Sequence, residues 1–238
     1  MKKNNFLLLF FVALSVFAMQ SCKDKDKNVQ PQGVNTTFDP NNQQNYDFMA
    51  TKAGSEWRMG FRPINPEDTG IGVRRAMGID STVAGFRYSY YERNVIGSPH
   101  ITPEYFGKND GFYTTTIDMT GSQQQYIQYA FYKDSATINE EWPNTGYVSY
   151  MGFAANVTIT TRVVSVGSTE RWNDSTFTNV LKVHSEITTD FPLVPNAGTI
   201  DIWCVRGLGI IKEEANIDLA GFYTRKYADS LISWSLVR

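Results

Sequence analysis

The chain has 238 residues, of which 42% are hydrophobic and 19% are charged, and its formal net charge is −2. A near-neutral surface of mixed sign argues against nucleic acid as a partner and against electrostatic docking to anionic lipid. The two cysteines and two histidines form no C-x-x-C or H-E-x-x-H spacing. The composition therefore predicts no metal site and no cofactor.

The N-terminus predicts a signal peptide over residues 1–21. Lys2 and Lys3 precede an uncharged, mostly apolar run of 14 residues, from Phe6 to Met19. A membrane-spanning helix needs roughly 20 apolar residues, so this run is too short to cross a bilayer. A basic start followed by a short apolar run is typical of an export signal that is later removed. Removal leaves 217 residues and, because two lysines and no acid are lost, a formal charge of −4.

The end of this segment resembles a bacterial lipobox. Residues 18–22 read Ala-Met-Gln-Ser-Cys, and Ser21 is the small residue that a signal peptidase needs beside the cut. Cys22 lies where the apolar run has stopped and the charged residues begin, so we predict that its thiol carries the lipid. Each buried CH₂ contributes about 0.8 kcal/mol, so two or three acyl chains such as palmitate would anchor the protein almost permanently. An ordinary secretory signal with a chance cysteine is the alternative.

Residues 22–45 predict a lipidated, disordered linker. After Cys22 the segment begins Lys-Asp-Lys-Asp-Lys and continues rich in Asn and Gln, with little that could pack into a core. A flexible stretch of this length reaches roughly 26 Å. Lys23 stands where an Asp would mark retention at the inner membrane, so we expect a lipid anchor in the outer membrane. The periplasmic face and the cell surface both remain open.

The rest of the chain predicts a single all-β domain over residues 46–238. Apolar and polar residues alternate with period two, as in half-buried strands, in the segments 57–61, 86–90, 157–163, 181–187 and 232–236. Gly- and Asn-rich turn signals separate these segments. The pattern predicts an antiparallel curved sheet, as a half-open barrel or a sandwich, of about ten or more strands. Residues 63–78 are expected to form a loop.

Three motifs resemble a group of β-rich bacterial envelope lipoproteins, most of them uncharacterised. The motifs are Gly54-Ser-Glu-Trp57, the hairpin segment Ser175–Val183, and the segment Ile202–Lys212, in which Gly207 and Gly209 would form a tight turn. The resemblance implies a curved antiparallel sheet related to the lipoprotein-carrier fold, whose concave side often holds an apolar molecule. It implies no chemistry.

The side chains most often used in catalysis are not arranged for it. His184 lies on the polar face of its strand, where a cross-strand partner is the expected role, and His100 lies in a loop without a nucleophile motif nearby. Adjacent acids on a strand point to opposite faces and share no proton, which applies to Glu140–Glu141 and Glu213–Glu214. We therefore predict no catalytic residue and no enzyme. Acids from distant strands could converge, which leaves an envelope hydrolase as the least favoured alternative.

Aromatic residues make up 14% of the chain and suggest a binding function. Trp57 and its strand neighbours share one face, as do Tyr88 and Tyr90, and we predict that these three residues line a cup for an apolar ligand. A filled core would need the same residues and no ligand. The favoured function is a membrane-anchored, non-enzymatic domain that binds an apolar ligand or an envelope partner. Exposed tyrosines stacking on sugars make a surface glycan-binding module the alternative. The oligomeric state stays open.

Overall fold

The computed structural model describes residues 48–63, 70–118, 126–150, 153–219 and 224–237. The predicted signal peptide, Cys22 and the linker lie outside these residues. The described residues belong to one structural unit. They include no helix long and apolar enough to cross a membrane.

The described residues form twelve strands, which confirms the all-β prediction and its estimate of ten or more. The strands are β1 (Glu56–Pro63), β2 (Gly70–Val83), β3 (Phe86–Val95), β4 (Ile101–Asn109), β5 (Phe112–Asp118), β6 (Tyr126–Lys133), β7 (Glu141–Tyr150), β8 (Phe153–Trp172), β9 (Ser175–Thr189), β10 (Asn196–Val205), β11 (Gly209–Asp218) and β12 (Thr224–Ser235).

All twelve strands belong to one antiparallel sheet. Strands adjacent in sequence pair with each other everywhere except between β6 and β7, and β1 pairs with β12. The sheet order therefore runs from β6 back to β1, across to β12, and back to β7. The sheet is nearly closed on itself, as in a barrel.

Side chains join the two ends of the sheet. β6 and β7 contact each other but share no backbone ladder in the described residues. The indole Nε1 of Trp142 donates to the carbonyl oxygen of Ala130 at 2.7 Å, and the backbone N–H of Ala130 donates to Oδ1 of Asn144 at 3.0 Å. These bonds satisfy part of the backbone that an edge strand otherwise leaves open.

One end of the barrel interior is filled by aromatic side chains. Trp57 is fully buried and donates from Nε1 to the carbonyl oxygen of Leu208 at 2.7 Å. Phe48, which precedes β1, packs against three rings of β5 and β6 at centroid distances of 4.9–5.2 Å. We call this region the packed half; it includes Phe48, Trp57, Met59, Tyr91, Tyr113, Phe131 and Leu231.

The predicted turn at Gly207 and Gly209 is present and explains why both positions are glycine. Both residues have positive φ angles, 80° and 91°, and the backbone N–H of Leu208 donates to Val205 at 3.1 Å. A Cβ built on Gly209 would lie 2.4 Å from Cγ of Met49. A side chain at Gly209 would therefore strain the backbone and displace the packed half.

The loop predicted over residues 63–78 is wrong in its second part, because β2 begins at Gly70. Gly70, Gly72 and Gly78 made this segment look like a loop. β2 is held by pairing with β1 on one side and β3 on the other. Tertiary pairing here outweighs a weak local preference for strand.

Candidate functional site

The interior changes character along each of several neighbouring strands. On β3 the inward positions run from Tyr91 in the packed half, through Arg93, to Val95, which lines a cavity. On β4 the inward positions are Phe106, Glu104 and Thr102, and all three line the cavity. Alternate residues of a strand share a face, so charged side chains lie between the packed half and the cavity. We call them the charged layer: Arg74, Arg93, Glu104, Glu213 and Asp229.

Glu104 joins the charged layer by accepting from two arginines. Arg74 binds it with two nitrogens, Nε to Oε2 and Nη2 to Oε1, the latter at 3.1 Å. Arg93 places Nη1 3.6 Å from Oε1 of the same carboxylate and donates from Nη2 to Oδ2 of Asp229. Such fork-to-carboxylate pairs fix orientation as well as charge. The layer is therefore one connected network across β2, β3, β4 and β12.

The same network shifts two carboxyl pKa values in opposite directions. Burial would raise the pKa of Glu104, but the charge and hydrogen bonds of Arg74, helped by Arg93, lower it to about 2. For Asp229 burial prevails over the attraction of Arg93 and raises the pKa to about 6. Glu104 is therefore a permanent anion, while Asp229 changes charge near neutral pH.

Two buried polar atoms of the charged layer have no hydrogen-bond partner among the described residues. They are Nη1 of Arg74 and Oδ1 of Asp229. Both residues are only 2% exposed. Arg74 lines the cavity, whereas Asp229 is not among the lining residues. Nη1 of Arg74 is itself enclosed, so this donor stays unpaired inside the charged layer, and buried donors of this kind are costly when they stay unpaired.

The cavity next to the charged layer has a volume of about 650 Å³. Its walls are largely apolar and include Phe61, Phe106, Ile117, Ile200, Ile202 and Ile217. The lining also includes residues at the strand ends and loops, among them His100, Asp118, Arg225 and Lys226. A cavity of this size, apolar with a few convergent polar groups, is typical of small-molecule sites.

The three predicted ligand-binding residues are not brought together. Trp57 lies in the packed half, and of its strand neighbours only Phe61 lines the cavity. Tyr90 pairs with Tyr105, while the next pair along, Tyr91 and Glu104, faces the interior. Tyr88 and Tyr90 therefore lie on the outer face of the sheet.

On that face Tyr88 and Tyr90 belong to a group of four rings that we call the outer tyrosines. Tyr105 is its centre, with ring centroids 6.3 Å from Tyr88, 5.7 Å from Tyr90 and 6.0 Å from Tyr126. Tyr88 is 2% exposed because its neighbours cover it, whereas Tyr90, Tyr105 and Tyr126 are half-buried. Tyr90, Tyr105 and Tyr126 are therefore partly open to solvent, and Tyr126 also lines the cavity.

His184 is not among the cavity-lining residues, whereas His100 and Glu213 both are. His184 has Asp201 as its cross-strand partner, with Nδ1 3.1 Å from Oδ1. Glu213 lines the cavity and accepts from the hydroxyl of Tyr227, while Glu214 is paired with Lys212 at 2.8 Å. Cys204 is fully buried, and burial raises the pKa of its thiol.

The sequence did not predict the charged layer, because charged residues that alternate with apolar ones along a strand are expected on its solvent side. A signal was present: Asp229 lies between Tyr227 and Leu231, two apolar residues in the same strand phase. Arg93 follows Tyr91 in the same way. A charged residue whose neighbours two positions away on the same strand are apolar indicates a buried charge, and this pattern predicts the site.

Comparison with known proteins supports the fold. No protein-family model matches this chain, and no curated protein does. A protein of Bacteroides fragilis, described as exported and as having a YmcC-like fold, is similar in structure, with a TM-score of 0.51 and 11% identity. A protein of Parabacteroides distasonis, described as a lipoprotein, gives a TM-score of 0.50 and 13% identity. Each likeness covers 80% of this chain and 99% of the other.

At these identities the likeness shows the fold. The curved antiparallel sheet that the motifs implied is confirmed, and these two solved proteins share it.

Proposed function

We propose that this chain is a lipid-anchored protein of the outer membrane whose barrel interior binds a small ligand with an apolar part. The cavity of about 650 Å³ beside the charged layer carries the proposal. Burying the apolar part of a ligand against its aliphatic and aromatic wall would contribute about 25 cal/mol per Å² removed from water.

The anchor rests on the sequence around Cys22. The apolar run, the small residue Ser21 and the charged segment that follows all favour acylation at this cysteine. The solved proteins of the same fold, one described as exported and the other as a lipoprotein, are consistent with this address. Lys23 favours the outer membrane.

Acylation is tested by replacing the cysteine. Cells that express the full chain with Cys22→Ser should yield unprocessed protein without incorporated labelled palmitate, while the native chain is processed and labelled. Mature, acylated protein from the variant would overturn the anchor and leave the ligand proposal standing.

The domain is proposed to act without catalysis. The charged layer does gather acids from distant strands, as a hydrolase would require, but protein donors already engage them. Glu104 is held by Arg74 and Arg93. Its pKa, lowered to about 2, makes it a poor general acid or base near neutral pH. Glu213 accepts from Tyr227. We expect no hydrolysis of envelope polysaccharides or esters by the purified protein, and a turnover that Glu213→Gln abolishes would contradict this.

Ligand binding is tested with an apolar fluorescent probe and two variants. Ala215 lines the cavity, so Ala215→Phe should fill part of it and weaken probe binding at least tenfold. Tyr90→Ala, on the outer face, is the matched control and should bind like the native chain. Thermal unfolding of both variants verifies that each is folded. No saturable binding to the native protein, or binding that only Tyr90→Ala weakens, would overturn the proposal.

The outer tyrosines favour glycan recognition as the second candidate. Their rings are 5.7–6.3 Å apart and partly open to solvent, which suits stacking on sugar rings. Native gels that contain envelope polysaccharides would then retard the protein, and Tyr105→Ala would abolish the retardation while Ala215→Phe preserves it. Unretarded migration in a broad panel of polysaccharides would remove this candidate.

A further inference from the structure

We propose that the tip of the β2–β3 hairpin inserts into the surface of the bilayer that holds the lipid anchor, and that this contact turns the cavity end of the barrel away from the membrane. The inference rests on the proposed anchor at Cys22 and adds a contact between the folded domain and that bilayer. It is carried by residues 78–87, which we call the projecting hairpin.

The projecting hairpin extends beyond the rest of the sheet. The ladder between β1 and β2 ends at Arg75, and the ladder between β3 and β4 begins at Ser89. Among the described residues, the pairs from Ser81–Tyr88 to Val83–Phe86 belong to the β2–β3 ladder alone. At about 3.3 Å per residue, the tip lies roughly 10 Å past the last pair with β4.

The tip is apolar, although its backbone favours a polar residue. Ala84 and Gly85 form a two-residue turn with φ angles of 50° and 84°. Asn and Asp tolerate a positive φ better than Ala does, and such turns prefer them. The β4–β5 turn follows this preference with Asp110, and the β8–β9 turn follows it with Asn173 and Asp174. The β2–β3 turn departs from the preference and has an uncharged tip.

The projecting hairpin presents apolar side chains and no net charge. Phe86 is 40% exposed beside the turn, and Ile79 is 57% exposed at the base. The two charged residues of the hairpin pair with each other, since Nε of Arg87 donates to Oδ2 of Asp80 at 2.9 Å. A neutral surface with exposed apolar side chains suits the boundary between headgroups and acyl chains.

The path of the N-terminal segment favours the bilayer as the partner of this surface. The described chain begins beside the base of the projecting hairpin, where the hydroxyl of Tyr91 donates to Ala50 at 3.0 Å and the N–H of Gly54 donates to Ala76 at 3.2 Å. Residues 22–47 connect this base to the proposed lipid, and a flexible stretch of that length reaches roughly 28 Å. Such a tether gives an effective concentration in the millimolar range, so a weak affinity of the tip for lipid is sufficient.

The contact determines which way the cavity faces. Phe86 begins β3 at the tip, whereas Val95 ends β3 and lines the cavity together with Ser98 and His100 of the following segment. The tip and the cavity therefore lie at opposite ends of the same strand. With the tip in the bilayer, the cavity end faces the aqueous side.

The test places a fluorescent label at the tip while the chain is held on vesicles. Residues 23–238 carry a hexahistidine in place of Cys22 and bind vesicles of phosphatidylethanolamine, phosphatidylglycerol and a nickel-chelating lipid. Ala84→Cys then supplies the accessible thiol, because Cys204 is fully buried. We expect quenching by brominated acyl chains to be at least threefold stronger at position 84 than at Leu193→Cys, whose side chain is 82% exposed in the β9–β10 loop at the cavity end.

Two matched controls identify the apolar tip as the cause. A label at Asn109→Cys lies beside the β4–β5 turn, at the same end of the barrel, and should be quenched at least twofold less than the label at position 84. Adding Phe86→Ser to Ala84→Cys should lower the quenching at least threefold. Adding Tyr147→Ser instead should leave the quenching unchanged, because Tyr147 is 60% exposed on β7, away from the projecting hairpin.

The outcomes separate this inference from the proposed anchor. Quenching at position 84 that equals quenching at position 193, or that survives Phe86→Ser, would overturn the membrane contact of the hairpin while the anchor stands. Chelation replaces the lipid in this test, so acylated protein from the Cys22→Ser chain would overturn the anchor alone.

Discussion

The two halves of the barrel interior are built by the same strands and have opposite properties. β1, β3 and β12 each contribute to both, because Trp57, Tyr91 and Leu231 lie in the packed half while Phe61, Val95 and Tyr227 line the cavity. A fold needs only enough burial to be stable. The packed half supplies that burial, which leaves the other half able to keep a cavity and a charged layer.

Removing one large side chain from each half tests whether the two halves differ in packing. Trp57→Ala deletes a fully buried ring and its hydrogen bond to Leu208, and should cost about 4 kcal/mol of unfolding free energy. Phe61→Ala, at the cavity wall, should cost less than about 1.5 kcal/mol because one side of the ring already faces open space. Urea unfolding measures both. Equal losses would show that the two halves are packed alike.

The next effect in size is expected in the charged layer. Glu104→Met leaves Arg74 buried without its partner and should lower the unfolding free energy by about 3 kcal/mol. Adding Arg74→Met removes the uncompensated charge, so the double variant should recover most of that loss. Urea unfolding of the native, single and double variants gives the coupling. A double variant that is less stable than Glu104→Met would contradict the account.

The pH dependence of stability should be smaller and comes from Asp229. Its pKa is about 6 in the folded protein, against an ordinary value near 3.8, so the folded state holds the proton more tightly. The stabilisation is complete below about pH 4 and is lost as the pH rises to about 6, by at most about 3 kcal/mol. Glu104 has the opposite sign, because its lowered pKa costs stability only as the pH falls below about 4.5.

Asp229→Asn isolates this contribution. The variant should have a flatter stability profile between pH 4 and pH 6, since the amide does not titrate but can still accept from Arg93. Thermal unfolding at a series of pH values is the measurement. An unchanged slope in the variant would assign the pH dependence to another group.

The smallest effect is expected on the outer face. Tyr90→Ala should change the unfolding free energy by less than about 1 kcal/mol, because the ring is half-buried and its hydroxyl makes only a 3.3 Å contact to Glu92. A loss as large as that for Trp57→Ala would mean that the outer tyrosines are part of the core.

The fold was predictable where the signal is local. Alternation along 86–90 and 157–163 marked strands, and Gly207 with Gly209 marked a turn, because strand and turn preferences act over a few residues. Which face of each strand lies inside depends on pairing between strands. Tyr88 and Trp57 therefore looked alike in the sequence, although one lies on the outer face and the other in the packed half.

The candidate site was less predictable for a related reason. Arg74, Arg93, Glu104 and Asp229 come from four strands, and their ion pairs join residues up to 136 positions apart. Each charged residue taken singly resembles a solvent-facing one. Burial is indicated only by the apolar residues on the same face of the strand, as at Asp229. The ion pairs that make burial of these charges tolerable form only when the nearly closed sheet brings the four strands together.

The most direct test of the central claim is a crystal structure of the unacylated chain from Cys22 to Arg238 with saturating dodecanoate. We expect electron density for the hydrocarbon chain inside the barrel, along Ile200, Ile202 and Ile217. Density for dodecanoate only at the outer tyrosines, or an interior without dodecanoate at saturation, would contradict the account.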